Sequence, residues 1–365
     1  MRPDVSAFTP PHCPNPACDF HLDSRVWKFK RKGFFFRRFS PSRVQRYRCS
    51  HCGRSFSTQT FSPSYWLKRP DILAALFHPL VACAGHRQIA RGLGVSPTTV
   101  THQVLRLGRH CQLLHESLRP REPLAEPLVV DGFRSFEHSQ YHPSDFHVAV
   151  GARTHFFYGF TVSELRRSGS MRLGQRRHRA RLEERFGRPD PRATEKDLGA
   201  LLAILAPGEG ELVVHSDDHR AYPRAFRRLS GVAVSHAVTP SRRLRTPRNP
   251  LFPVNLLDGL IRHSSANHKR ETIAFSKRRQ AAAARMWVFL VWRNYVKSWS
   301  ERRRDRPPGQ RIGCIETRLT LGEILRERLF PSRIPLPGPW RKQYEGRVVT
   351  RAIPNNRFHQ LRYAS

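Results

Sequence analysis

Acidic side chains are scarce in this sequence. The 365 residues carry 28 Asp and Glu against 65 Lys and Arg, a formal charge of +37 with histidine neutral. That shortage excludes a charge-balanced surface, and a field of this sign draws polyanions over long range, nucleic acid being the usual one. A GC-rich genome explains the preference for Arg over Lys but not the missing acids. Long apolar runs are lacking too. The most apolar stretch, Ala281 to Trp292, is broken by Arg285 and stopped by Arg293. It is too short to span a bilayer and fits a buried helix. No amino-terminal stretch has the apolar centre of a signal peptide. The expectation is a soluble, cytoplasmic, nucleoid-associated protein of two or three domains with no membrane partner.

Cysteine is also sparse, at seven residues, and four of them cluster near the amino terminus. An odd count in a basic intracellular chain argues against a disulfide framework and for a metal site. "CPNPAC" and "CSHC" supply the pairs Cys13/Cys18 and Cys49/Cys52. Each pair can place two thiolates on a tight knuckle, and two knuckles make a tetrahedral zinc site. Zinc would fold a segment too small to hold a core alone. The intervening "RVWKFKRKGFFFRRFSPSRVQRYR" alternates aromatic and basic residues, as short strands with one basic face would. His51 is a weaker candidate ligand because two cysteines already flank it. Cys83, Cys111 and Cys314 read as ordinary buried thiols.

"HRQIARGLGVSPTTVTHQVLRLGRH" has the pattern of a helix-turn-helix. Ile89, Ala90 and Leu93 have helical spacing, Gly94 and Val95 make a turn, Ser96 suits an N-cap and Pro97 a first helical residue. Val100, Val104 and Leu107 give the second helix a buried face. Thr98, Thr99, Thr101, His102 and Gln103 then surround its start, where a recognition helix meets base edges. The Pro-rich "RPREPLAEPL" follows as a linker.

Beyond it, "PLVVDGFRSF", "DFHVAVGAR" and "THFFYGFTVSEL" read as a three-strand meander with turns at His142–Asp145 and Gly151–Thr154. Glu195 to Leu205 reads as a helix, "ELVVHSDDHRAY" as a fourth strand ending at Asp217 and Asp218, and "GVAVSHAVT" as a fifth. Helix-prone sequence follows around Asp258 and from Phe275 to Ser300. Carboxylates thus sit on strand one (Asp131), strand four (Asp217) and a later helix (Asp258). Acids from separate elements can hold two divalent cations that serve phosphoryl transfer. Each acid also has a plainer reading. Asp131–Gly132 suits a hairpin turn, Ser216–Asp218 a helix cap, and Asp258 a partner for Arg262 one turn later.

These motifs together resemble the transposases of the insertion-sequence-one type. "RYRCSHCGRSFSTQTF" with "HRQIARGLGVSPTTV" is similar to the family's amino-terminal zinc ribbon and helix-turn-helix. "SDDHRAY" resembles its motif of Asp followed five residues later by Tyr, here Asp217 and Tyr222. "IRHSSANHKRETIAFSKR" resembles its Arg-containing motif through Arg262, Arg270, Thr272, Ile273, Phe275 and Ser276. The resemblance implies an α/β RNase H-like, retroviral-integrase-like domain with a mixed five-stranded sheet. It also implies two Mg2+ or Mn2+ ions and strand cleavage and transfer at DNA ends, with Arg262, Lys269, Arg270 and Lys277 on the DNA backbone. The family places a Glu seven residues before the motif Arg and an Asn four before it. This chain has Asn255 and Asp258 there, on one helical face. Glu271 falls among the cations as a surface partner for Lys269 or Arg270.

The expected organisation is a zinc ribbon over 1–62, an all-α helix-turn-helix domain over 63–118, a linker over 119–128, the catalytic domain over 129–305 and a basic extension over 306–365. The extension reads either as a DNA-contacting tail or as a packed appendage. Trp287, Trp292, Tyr295 and Trp299 read as core rather than as an assembly face. Two functions fit: a transposase working as a homo-oligomer on DNA, or a DNA-binding regulator that has lost catalysis. In either, DNA affinity should fall steeply as salt rises, because bound Lys and Arg release counterions. Binding measured across a salt series checks this, and a flat response contradicts it.

Overall fold

The alternation of aromatic and basic residues between the two cysteine pairs produces a three-stranded antiparallel sheet of β1 (Phe29–Phe36), β2 (Arg43–Cys49) and β3 (Ser55–Ser57). Along β2, Gln45, Tyr47 and Cys49 turn inward while Arg46 and Arg48 face solvent, the two-residue period of a half-buried strand. Tyr47, Phe56 and Phe61 pack with the cysteines into a small core of their own. One member of that core, Phe330, arrives from the far end of the chain. Near it, Arg328 donates its backbone N–H to Phe61 O at 2.9 Å, and His21 Nε2 meets Ser332 Oγ at 2.9 Å. This computed structural model describes residues 8–121, 124, 126–206, 208, 210–302, 305–356 and 358. Parts of the expected linker and the end of the carboxy-terminal extension lie outside them.

Three helices follow: α1 (Asp71–Val81), α2 (His86–Gly92) and α3 (Pro97–Leu118). Ser96 caps α3 with Pro97 in its first turn, and Ser96 Oγ accepts from Thr98 N at 3.2 Å. Val100, Val104 and Leu107 form the buried face. At 22 residues, α3 runs well beyond the start where base contact was expected. Its second half packs along a later helix, α8 (Arg279–Val291), at a crossing made possible by Gly108. A Cβ at Gly108 would stand 2.5 Å from Ala284 O and 2.8 Å from Ala284 Cα. One apolar cluster therefore joins α1 to α3 with the large sheet and α8.

That sheet contains β4 (Leu128–Phe136), β5 (Pro143–Gly151), β6 (Phe157–Glu164), β7 (Gly210–Ser216) and β8 (Val232–Val238) in the order β6-β5-β4-β7-β8. The first three strands form an antiparallel meander, β7 runs parallel to β4, and β8 parallel to β7. The mixed five-stranded sheet expected from sequence is present. One turn lies elsewhere than expected: β5 opens at Pro143, so Asp145 sits inside the strand opposite Arg134. Between β6 and β7 come α4 (Leu173–Phe186), which buries none of its residues, and α5 (Ala193–Leu205). Then follow α6 (Ala221–Phe226) between β7 and β8, α7 (Phe252–Ser264) and α8 (Arg279–Val291).

The two faces of the sheet have different covers. Thr161 Oγ1 and Ser163 Oγ donate to Asp197 O and Asp197 Oδ2 at 2.6 and 2.7 Å, which ties α5 to the face shared by His147 and Asp145. The opposite face carries Phe133 and Phe146, under Arg262 of α7 and His268. Trp287 and Tyr295 are buried in the core. Residues 307–354 fold back over the body. Trp340 is fully buried, donating Nε1–H to Phe160 O at 2.9 Å and accepting at its carbonyl from Gln112 at 2.7 Å. The described part of the extension is thus a packed appendage.

A helical glycine replaced by alanine normally gains about 1 kcal/mol. At Gly108 the sign should reverse. Gly108→Ala should cost about 1–3 kcal/mol by overpacking, seen as a lower denaturation midpoint. A gain in stability would mean that the α3–α8 crossing is looser than described.

Candidate active site and cysteine cluster

The ligand atoms of Cys13, Cys18, Cys49 and Cys52 all lie within 4.8 Å of one another. Cys13 Sγ and Cys52 Sγ are 3.6 Å apart, close to the ~3.8 Å edge of a tetrahedron with 2.3 Å zinc–sulfur bonds. Burial pushes the Cys13 and Cys18 thiols up. Burial opposes ionisation at Cys49 too, yet that thiol is held at about 6 by the Trp27 indole N–H and the backbone N–H groups of His51 and Cys52. Trp27 Nε1 donates to Cys49 Sγ at 3.2 Å. Such donors favour thiolate, the form that ligates metal. His51 takes no part and pairs with Asp19 at 3.2 Å on the surface. The four cysteines could hold a structural Zn2+, and they fit it in number, spacing and donor chemistry.

The second site forms where the large sheet opens. Only Leu128 and Val129 of β4 pair with β7, so the edge of β4 is unpaired on that side from Val130 onward. Asp131 sits just past this point, and Asp217 follows the last residue of β7. Asp131 Oδ1 accepts from Gly132 N at 2.7 Å and from the buried Tyr222 hydroxyl at 3.3 Å. Burial pushes the Asp131 carboxyl up to about 6, helped by repulsion from Asp217 and Asp145. From α7, Asp258 is pushed further, to about 8, by burial and by the charges of Asp131 and Asp145. Its Oδ1 is buried without a hydrogen-bond partner. The pairing of Asp258 with Arg262 is absent as an ion pair. Arg262 instead donates to His268 O at 3.1 Å and lies 4.5 Å over the Phe133 ring.

Asp131 thus feels the charge of Asp217 and Asp258 feels that of Asp131, while a further acid, Asp145, acts on both Asp131 and Asp258. Asp145 and Asp258 each keep a buried oxygen without a hydrogen-bond partner, a donor that suits a hard divalent cation with oxygen ligands. Among the described residues, only the cysteine cluster closes to 4.8 Å, and the carboxylates are spaced more widely than that. In sequence Asp145 only opens the strand "DFHVAVGAR" beside the His142–Asp145 turn, and nothing local ties it to Asp131.

The cations flank this site. A cleft of about 310 Å³ is lined by Arg134, Arg166, Arg167, Arg262, Lys269 and Arg270. A neighbouring cleft of about 700 Å³ shares Arg134 and Arg166 and adds Arg188, Arg220 and Arg224. Of these residues only Arg262, Lys269 and Arg270 stood out in the sequence, where so many arginines conceal the others. Lys277 is exposed nearby in sequence but lines neither cleft. Glu271 is exposed and makes no ion pair with Lys269 or Arg270. On α3, Thr98 and His102 are exposed, Thr99 and Thr101 half-buried, and Gln103 buried. Thr99, His102 and Gln103 share a third cleft with Arg106 and Arg109.

No family model matches the chain, and neither does any curated protein sequence. Among solved structures, a chain of the cryoEM structure of the simian T-cell lymphotropic virus intasome in complex with PP2A regulatory subunit B56 gamma is similar at 13% identity and a TM-score of 0.25. The match covers 65% of this chain and 71% of that one. At that TM-score the likeness carries no argument about function. No helix among the described residues is long and apolar enough to cross a membrane.

Cys49→Ser should remove the anchored thiolate and lower bound zinc from about one ion per chain to a small fraction of that, as elemental analysis of purified protein would read. Purified wild-type protein without zinc would contradict the four-thiolate site.

Proposed function

We propose that this chain is a DNA transposase of the insertion-sequence-one type, which binds element ends and catalyses metal-dependent strand cleavage and strand transfer. The observation that supports this reading is Asp131 of β4, whose carboxyl is raised by burial and by the charges of Asp217 and Asp145, and whose own charge helps to raise Asp258 of α7. The antiparallel meander followed by two parallel strands supports an RNase H-like reading of the domain. A chain with a charge of +37 that keeps acids buried together beside arginine-lined clefts is built to bring phosphate to carboxylate.

Mg2+ or Mn2+ held by the three aspartates would supply the charge that activates an attacking oxygen and stabilises a leaving oxygen in phosphoryl transfer. The chain's own groups do the rest. Tyr222 and the Gly132 N–H orient Asp131 through its Oδ1. Burial and the charges of Asp131 and Asp145 raise the Asp258 carboxyl, so a neighbouring cation would favour its ionised form. Arg262, Lys269, Arg270 and Lys277 hold the DNA backbone, with Arg134 and Arg166 extending the same path. In this reading α2, the turn at Gly94 and α3 act as a helix-turn-helix. Thr98, Thr99, Thr101, His102 and Gln103 surround its base-reading start, and the zinc ribbon beside it helps to select the terminal repeats. Paired ends call for a homo-oligomer assembled on DNA.

A second reading, a DNA-binding regulator without catalysis, is favoured by Asn255 in place of an acid and by the wide spacing of the carboxylates. A cleavage and strand-transfer assay on cognate ends with Mg2+ or Mn2+ separates the two. Asp131→Ala and Asp217→Ala should abolish product while DNA binding survives, and Asp258→Ala should do the same. A wild-type protein as inert as these variants would establish the regulator.

A further inference from the structure

Asp145 is the third residue of β5, opposite Arg134 across the β4–β5 ladder. In an antiparallel pair, opposed side chains share a face, and neighbours along a strand alternate. Asp145 therefore shares the α5 face with Gly132, Arg134 and His147, while Asp131 points to the other side of β4. A carboxylate buried under a helix is normally ion-paired or fully hydrogen-bonded. Asp145, only 6% exposed, is neither. Its Oδ1 has no hydrogen-bond partner. Arg134 makes no ion pair with it. His147 Nδ1 stands 3.9 Å from Oδ2, beyond hydrogen-bond distance, and burial keeps that imidazole neutral.

Gly132 shows where the carboxylate goes. A Cβ at this position would stand 2.6 Å from Asp145 Oδ2 and 2.9 Å from Oδ1. The carboxylate lies directly over the β4 backbone, at the residue after Asp131, in space that any side chain would fill. A glycine inside a strand weakens it and marks a close approach. Here β4 has no partner on its β7 side, so the two faces of the sheet meet around its bare edge. Asp217 and His219 stand at that edge, and both act electrostatically on Asp145. His219 and Asp145 also line one cleft.

We propose that Asp145 is a fourth carboxylate of the divalent-cation site, offering its free Oδ1 across Gly132 from the opposite face of the sheet. This rests on the reading that Asp131, Asp217 and Asp258 bind the cation. It also accounts for the altered third position. Asp258 is one methylene shorter than Glu and Asn255 carries no charge, and Asp145 returns an anionic oxygen to the set. Divalent cations of this kind take six or more oxygen ligands, so a further protein oxygen has a place.

Mn2+ titrated into the full-length, zinc-loaded protein, with free Mn2+ followed by electron paramagnetic resonance, tests this without requiring activity. Asp145→Asn should weaken Mn2+ binding at least tenfold and abolish most of the rise in melting temperature that Mn2+ gives the wild type. Zinc content should be unchanged. Without Mn2+, its melting temperature should equal or exceed that of wild type, since a bare buried charge is gone; a purely structural aspartate would lower it. Wild-type Mn2+ affinity in Asp145→Asn, alongside lost binding in Asp131→Asn, overturns this inference and leaves the three-aspartate site standing. No Mn2+ binding by wild type overturns both. If Asp145→Asn fails to fold, Gly132→Ala decides, because its methyl displaces the carboxylate: a tenfold loss supports the proposal and full affinity overturns it.

Discussion

The site depends on one electrostatic constraint: negative charge is concentrated where water is scarce, inside a chain that is otherwise overwhelmingly positive. Burial and mutual repulsion raise Asp131, Asp145 and Asp258 together. Buried acids of like charge persist only where something offsets them, a proton or a cation. The arginines do not fill that role by direct pairing. Arg262, one turn from Asp258, spends its donors on a backbone carbonyl and its face on Phe133. The acids are left open toward the clefts, and the cations line the walls. A polyanion and a divalent cation are the two ligands that such an arrangement is short of.

The scaffold that holds this charge is one packed unit from α1 onward. α5 covers β5 and β6 on one face of the sheet, and α7 covers β4 and β5 on the other. α8 crosses α3 at Gly108 and brings the amino-terminal helices into the same apolar cluster. His115 shows how dense the junction is. It contacts the Tyr295 hydroxyl at 3.0 Å and donates Nε2–H to Tyr158 O at 2.9 Å, tying α3, the sheet and the segment after α8. The carboxy-terminal segment completes the body with Trp340 and reaches back to the cysteine module through Phe330. The helix that begins beside Thr98 and His102 is therefore physically continuous with the packing that buries the core of the large sheet.

Much of this was legible residue by residue. The cysteine spacing, the Ser96–Pro97 helix start and the order of strands and helices follow from local rules: ligand geometry, capping and side-chain period. Asp131 and Asp217 were legible as acids at strand positions, and Asp258 as an acid one turn from a motif position. Asp145 was not. Its strand was legible as "DFHVAVGAR", but its approach to β4 at Gly132 exists only through pairing. Arg134, Arg166 and Arg220 were not legible either, since in a sequence with so many arginines no single one stands out until a cleft selects it.

The sequence by itself determined the charge, the clustered cysteine set, the alternation of elements and the presence of a few acids among many bases. These are set by composition and by neighbours in the chain. Tertiary structure alone decided which acids share a site and which cations face it. It also decided that Gly132 is an opening for Asp145 rather than the second residue of a hairpin turn. The reason is physical: a carboxylate's role depends on its solvent, its distance to other charges and the free space around it. All three are created only when β4 outruns β7 and the two faces of the sheet meet at its bare edge.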